Sequence, residues 1–154
     1  TLTSVSLPSS LTSIGDSAFE NCGGLTGELE IPEGVESVGD YAFSVCSSLE
    51  SVSLPSTLTS IGSSAFRGCS GLTSVRLPSS LTSIGSDAFR NCFSLKYIQI
   101  TGNLTSPYTL PSGTWVKTDS ATEPTDWNTN VATSIPASDS IGFYHQKSAW
   151  DKAS

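Results

Sequence analysis

The sequence predicts an α/β repeat fold: a right-handed parallel solenoid of roughly 23-residue units, closed by a small C-terminal β cap. Three observations carry this. Leu2, Leu25, Leu49, Leu72 and Leu95 recur at spacings of 23, 24, 23 and 23. Each is followed by the same apolar pattern, ending in Ala-Phe-x-x-Cys four times. No unit of this length can bury its own apolar set, whereas stacked copies place every column on the next. The expected division is 1–104 for four full units and a fifth strand, and 105–154 for the cap and tail.

Within a unit, Val5-x-Leu7, Leu29-x-Ile31, Val52-x-Leu54, Val75-x-Leu77 and Ile98-x-Ile100 alternate, so both apolar residues face inward on a strand. Pro8, Pro32, Pro55 and Pro78 end the strands, because proline cannot donate to the ladder. A second short extended run, Leu11 to Ile14 in the first unit, leads to Gly15, Gly39, Gly62 or Gly85, read as a sharp turn. Asp16, Asp40, Ser63 and Ser86 follow and are expected to cap a helix start. Ala18, Phe19 and Cys22, with their counterparts, then share one face of a single helical turn. Leu2, Val5, Leu7, Leu11, Ile14, Ala18, Phe19 and their equivalents form the expected core. The regular spacing, with a net charge of −7, sets aside disorder despite 36 % apolar residues and nearly a third Ser and Thr.

The fifth unit keeps register through Leu95, Ile98, Ile100 and Leu104, but Pro107-Tyr108 stands where Ile-Gly is expected. Beyond it, short apolar-aromatic runs separated by Pro, Gly and Asn read as a β meander. Trp115, Trp127 and Phe143 are the aromatics expected to cover the last layer, and Lys117–Asn130 is expected to be a loop. Leu2 opens a unit with nothing to cover it, so the reading expects a cut edge there, with more repeats before Thr1 or another copy on that face. A chain without Met is expected to be part of something longer.

Repeats of this length with a strand and a turn of helix match the leucine-rich-repeat class. The pattern L-x-x-V-x-L-P-x-x-L-x-x-I-G-x-x-A-F-x-x-C over residues 2–104 resembles the BspA-like leucine-rich repeats of bacterial surface proteins. The tail, with Leu110-Pro-Ser-Gly-Thr-Trp115 and Gly142-Phe-Tyr144, resembles segments that close such arrays. The resemblance implies secretion, surface display, adhesive or scaffolding roles, and no catalytic residues. Cofactors are expected to be none.

Charge is uneven. Residues 1–66 carry eight acids and no Lys or Arg, whereas 67–154 carry seven bases and six acids. That argues against nucleic acid, which needs a positive surface. No run of 18 apolar residues is present, so no membrane-inserted helix is expected. The lone His145 is expected at the surface, since no Cys lies near it for a nucleophilic pair. One Cys per unit (Cys22, Cys46, Cys69, Cys92) lacks the paired spacing of a zinc site and reads as small buried residues with free thiols. Asp119, Glu123, Asp126 and Asp139 match no calcium loop. Asn103-Leu-Thr105 is a glycosylation sequon.

Two functions fit: a binding module, or a structural spacer capable of head-to-tail self-association. The outward strand columns separate them, because a binding face varies and carries aromatics and charges. The early positions are plain (Thr3, Ser4, Ser6), while the later ones include Glu50, Arg76, Lys96, Tyr97 and Gln99. These five are the candidate binding residues, with a protein or glycan on a host or neighbouring cell as partner.

Overall fold

The computed structural model describes residues 2–153, so Thr1 and Ser154, the ends of the expected divisions, lie outside the described residues. The repeats supply β1 (Ser13–Ile14), β2 (Gly27–Glu30), β3 (Ser37–Val38), β4 (Leu49–Ser53), β5 (Ser60–Ile61), β6 (Ser74–Leu77), β7 (Ser83–Ile84) and β8 (Tyr97–Ile100). The remainder holds β9 (Tyr108–Thr109), β10 (Trp115–Thr118), β11 (Val131–Ala132), β12 (Ser134–Ile135), β13 (Gly142–Gln146) and helix α1 (Lys147–Ala153).

The chain winds as a parallel β-solenoid. The V-x-L segments stack on one side, with β2 pairing β4 and β6 pairing β8, all parallel. The Leu-x-x-Ile segments make a second parallel sheet, β1-β3-β5-β7, in which Ile14, Val38, Ile61 and Ile84 align. The inward columns are buried as expected: Leu29, Val52, Val75 and Ile98 in one, Ile31, Leu77 and Ile100 in the next, with Leu54 half-buried. The first layer departs from the expectation. Leu2 is 46 % exposed, Ala18 is exposed, and Val5, Leu7, Leu11 and Phe19 are half-buried, because no described residues stack on their outer side.

The expected helical turn is absent from the repeats; α1, outside them, is the one helix among the described residues. Consecutive tight turns replace it, and their hydrogen bonds show why. Backbone N–H groups alternate between two destinations. Those of Ala18, Glu20 and Cys22 donate back three residues, to Gly15, Ser17 and Phe19. Those of Ser17, Phe19 and Asn21 donate to the next layer, to Asp40, Ala42 and Ser44, at 2.7–2.8 Å. A helix would keep all these donors within its own unit. The stack instead gains a third inter-layer ladder, so each turn of the chain is bonded to its neighbour on three sides.

Two further corrections follow. Asp16 and Asp40 cap no helix; Oδ1 of each accepts the backbone N–H of the equivalent residue one layer on, Asp40 at 2.9 Å and Ser63 at 2.8 Å. The glycine column is not there for an unusual φ. A Cβ on Gly39, Gly62 or Gly85 would sit 2.3–2.6 Å from the backbone of the preceding layer, whereas one on Gly15 meets nothing within 4 Å.

The left-handed φ values fall elsewhere, in two turn columns. One is Ser17, Tyr41, Ser64 and Asp87; the other is Asn21, Val45, Gly68 and Asn91. Asn and Gly suit that conformation, while a β-branched residue does not. Val45, at φ 60° and 45 % exposed, therefore carries strain with little burial to offset it. Val45→Asn is expected to stabilise the protein by about 1 kcal/mol, read as a rise in the thermal midpoint. An unchanged or lowered midpoint would contradict the strain.

Inside, Phe19, Phe43, Phe66 and Phe89 stack with centroids 5.3, 5.4 and 5.7 Å apart and planes within 9°. The spacing exceeds the ordinary strand separation of about 4.8 Å and suits offset ring contact. Beside them the thiols of Cys46, Cys69 and Cys92 donate to the carbonyls of Phe19, Phe43 and Phe66, at 3.3, 3.2 and 3.2 Å. The cysteines are free thiols, as expected, but they also tie layers together. Burial pushes the Cys46 thiol up to about 11 and Cys92 up to about 12, and raises Cys69 as well. A thiol reagent is therefore expected to label four sites in the denatured chain, but to leave Cys46, Cys69 and Cys92 unlabelled in the native one. Rapid native labelling at all four would refute the buried column.

Register persists beyond β8, since Thr105 donates from both N–H and hydroxyl to Thr82 O, at 2.8 and 3.0 Å. Residues from Tyr108 onward then add antiparallel strands. β13 pairs β8, β10 pairs β13, and β11 pairs β10, giving one sheet of order β11-β10-β13-β8-β6. Tyr108, Leu110, Trp115, Ile135 and Tyr144 join the same core cluster as the repeats. Of the aromatics expected there, Trp115 is buried, while Trp127 and Phe143 are only half-buried and lie outside that cluster. Lys117–Asn130 begins as strand, with Lys117 and Thr118 in β10, and otherwise holds no helix or strand.

Candidate functional site

The strand face is the surface the outward columns share. Its register brings Arg76 beside Gln99 and Ser74 beside Tyr97, on β6 and β8. Antiparallel pairing then sets Phe143 against Gln99 and His145 against Tyr97 on β13. The row Arg76–Gln99–Phe143–Thr118 thus crosses four strands.

Four of the five candidate residues converge. Arg76 is exposed; Lys96, Tyr97 and Gln99 are half-buried. Glu50 stands apart. It stands in the column Thr3, Glu50, Thr73, Lys96, in which Thr73 N–H donates to Glu50 O at 3.2 Å and Lys96 N–H to Thr73 O at 2.8 Å. One full strand therefore separates it from Lys96.

Two of the four have partners in the C-terminal segment. The Tyr97 ring meets Phe143 edge-on at 5.4 Å and lies 5.6 Å from His145. Lys96 Nζ sits over the Trp150 ring, 4.9 Å from its centroid, a cation–π contact. The three ion pairs among the described residues use Arg90, Lys117 and Lys147. Arg76 and Lys96 have no carboxylate in such a pair, although the chain is acidic overall. Beside the patch opens a groove of about 1060 Å³, whose lining includes Gln99, Lys117, Asp139, Ile141 and Phe143. Ile141 is 56 % exposed at its rim.

His145 is not at the surface, contrary to the expectation; it is 0 % exposed. Its Nδ1 accepts the Trp150 indole N–H at 3.2 Å. Its Nε2 lies 2.9 Å from Thr118 Oγ1 and 3.0 Å from Ser120 O. A carbonyl only accepts, so Nε2 carries the proton and the ring is neutral. Sequence reasoning missed this because Tyr97, Thr118 and Ser120, which help enclose His145, lie far from it in sequence, and nearby Phe143 and Trp150 do not reveal them.

Tyr108 was missed as well. Its hydroxyl accepts the Phe89 N–H at 3.1 Å, and its ring packs edge-on against Phe89 at 6.2 Å. In earlier layers that N–H goes to the next layer's alanine carbonyl. One side chain thus supplies both the acceptor and the ring contact that a further repeat supplies elsewhere. The signal in the sequence was the Pro107-Tyr108 break itself.

The acidic residues weighed for calcium do different jobs. Asp126 accepts from Asn128 N–H and the Thr129 hydroxyl, and these bonds lower its carboxyl below the ordinary range. Asp139 pairs with Lys117. In the sequon, Asn103 Oδ1 accepts Ser140 N–H at 3.0 Å.

Comparison with known proteins places the repeats. The BspA type leucine-rich repeat region matches residues 1–109 in six copies. Among solved structures, the pneumococcal vaccine antigen PcpA is similar at 31 % identity and a TM-score of 0.59, over 62 % of this chain and 23 % of that one. A leucine-rich cell surface protein from Faecalibacterium prausnitzii is similar at 34 % identity and a TM-score of 0.53, over 75 % of this chain and 35 % of that one. The chain thus spans about a quarter to a third of these relatives. No curated protein matches it.

Proposed function

The chain belongs to the family of BspA-type leucine-rich repeats, and from that premise we propose that it is a surface-displayed binding module. It recognises a protein or glycan on a host or neighbouring cell, through the C-terminal end of its strand face. The observation that carries this reading is the gathering of Arg76, Lys96, Tyr97 and Gln99, with Phe143, on adjacent strands. Tyr and Arg are the usual anchors of interfaces, and the sheet fixes the backbone that carries them, so only their side chains remain to be ordered on binding. Residues 105–153 act in this reading as a cap that closes the stack and completes the patch. No catalytic role is assigned to any residue.

The runner-up is a spacer within a longer surface protein. The three-sided bonding between layers favours it. Arg76 discriminates the two readings, because it is exposed and outside the core cluster. Arg76→Glu, alone and with Tyr97→Ala, is expected to cut adhesion of the purified protein to its target cells by roughly thirtyfold or more, the loss of an interface anchor. Unchanged adhesion with an intact fold would put the spacer ahead. Arg76→Glu is the deciding variant, since Tyr97 also packs on Phe143 and His145.

A further inference from the structure

The buried His145 joins the patch to the C-terminal helix, and nothing in the binding reading requires a buried imidazole. The hydrogen bonds around it fix one tautomer of the neutral ring, and burial disfavours its cation, while the Ser120 carbonyl partly offsets that burial. Trp150 of α1 donates to Nδ1 at 3.2 Å. Ser120 O accepts from Nε2–H at 3.0 Å. The Thr118 hydroxyl donates to Ser120 O at 2.9 Å, so its lone pairs remain for Nε2–H. The ring edges and faces belong to Tyr97, Phe143 and Trp150.

Charged groups on the surrounding elements do not welcome a cation. From the β8 side, Lys96 sits over the Trp150 indole at 4.9 Å. Tyr97 is the one titratable group of that side against the ring. From β10, Lys117 is held by Asp139, and the exposed Asp119 follows Thr118. From α1, Lys147 pairs with Asp151 at 2.7 Å. On β13 itself, the Tyr144 hydroxyl donates to Ser140 O.

The geometry points to a proton-operated latch, in which protonation of His145 at Nδ1 releases Trp150 and helix α1 and so uncovers Lys96 beside Tyr97. The step takes one proton from solvent onto Nδ1 and makes or breaks no other covalent bond. Once protonated, Nδ1–H faces the indole N–H, two donors with no acceptor between them, on a ring that is itself 0 % exposed. Trp150 is the group that can leave. Its helix is seven residues long and follows directly on Gln146, whose side chain stays anchored to Cys92 O and Leu95 O at 3.1 and 2.8 Å. Beyond that anchor the contacts of the helix include Lys147 N–H to Thr114 O, Lys152 to Ser94, the buried Ala149 and the Lys96 ammonium over Trp150. When Trp150 leaves, Lys96 loses its ring and becomes a free ammonium beside Tyr97.

The sign of the pH dependence follows. Burial holds the imidazole below its ordinary value of 6.5. A histidine depressed in the folded state stays neutral there while its unfolded counterpart takes up a proton. The latched form is therefore fully stable above 6.5 and is lost as pH falls below that value.

The latch concerns regulation of the proposed patch and rests on that reading only for what it uncovers; its test needs no ligand. The Trp150 indole N–H and the His145 ring C–H signals are followed by NMR from about pH 8 to about pH 5. Both are expected to move together, with a midpoint below 6.5. In Trp150→Phe the His145 midpoint should move up, since the donor that disfavours Nδ1–H is gone. In His145→Gln the Trp150 signal should stay flat with pH. Titration of His145 with a fixed Trp150 signal, an equal Trp150 shift in His145→Gln, or no titration before global unfolding would each overturn the latch. An inert latch leaves the Arg76 test untouched, and failed adhesion at Arg76 leaves the latch untouched.

Discussion

Phe66→Ala is expected to cost about 3–5 kcal/mol, a large share of the roughly 5–15 kcal/mol that holds a domain of this size together. Phe66 is 0 % exposed and touches rings on both sides, Phe43 at 5.4 Å and Phe89 at 5.7 Å. Removing it leaves a ring-sized void between two layers. The layers cannot close on it, because three hydrogen-bonded ladders fix their separation. The outward Ser53, on the strand of the same unit, gives the contrast: Ser53→Ala should change stability by less than about 0.5 kcal/mol. Denaturant unfolding of both variants checks this, and similar midpoints would contradict the assignment of inward and outward columns. Leu54, an inward position by the strand alternation, is only half-buried and is a weaker probe.

Gly62→Ala is the second large effect. A Cβ there would lie 2.6 Å from Asp40 N and 2.6 Å from Gly39 C, both backbone atoms of the preceding layer. No rotamer relieves a clash between a Cβ and a neighbouring main chain, so the layers must part and the local ladder must open. We expect a loss of about 3 kcal/mol, at the upper end of overpacking costs. Gly15→Ala is the matched control, with nothing within 4 Å of the added methyl, and it should be near neutral. If both substitutions cost the same, the column would owe its glycines to turn conformation and not to close stacking. Both measurements belong in the same thermal or denaturant series.

The columns that these two predictions probe were legible in the sequence. The Leu spacing gave the unit length, and the V-x-L alternation gave the inward faces found buried at Leu29, Val52, Val75 and Ile98. The local conformation of the Ala-Phe-x-x-Cys segment was not legible. Ala, Phe and Cys at i, i+1 and i+4 fit one helical face as well as they fit a turn ladder; only the bonding between layers decides. A subtler signal did exist: Asn21, Gly68 and Asn91 share one column, and all three tolerate a left-handed φ. Val45 hides that signal in the second unit.

The candidate site was half legible. Outward positions follow from the strand period, so the outward placing of Arg76 and Gln99 was legible, and the register sets the two side by side. What lies over them was not, because β13 and α1 come from the far end of the chain, and their contacts with Lys96, Tyr97 and the buried His145 depend on tertiary pairing. Tyr108 illustrates the same limit. It looked like decay of the repeat and proved to be a replacement for the next layer's carbonyl.

The central claim is that the C-terminal end of the strand face meets the partner. A photo-crosslinking side chain at Ser74, paired with Tyr97 and two residues before Arg76 on its strand, tests it in the intact protein, with the same group at Glu28 on the acidic end as control. Ser74 is half-buried and Glu28 exposed, and neither belongs to the core. On target cells, the account predicts a crosslinked product from position 74 that Arg76→Glu abolishes, and little from position 28. Equal crosslinking from both positions, or none from position 74 while the protein still adheres, would contradict it.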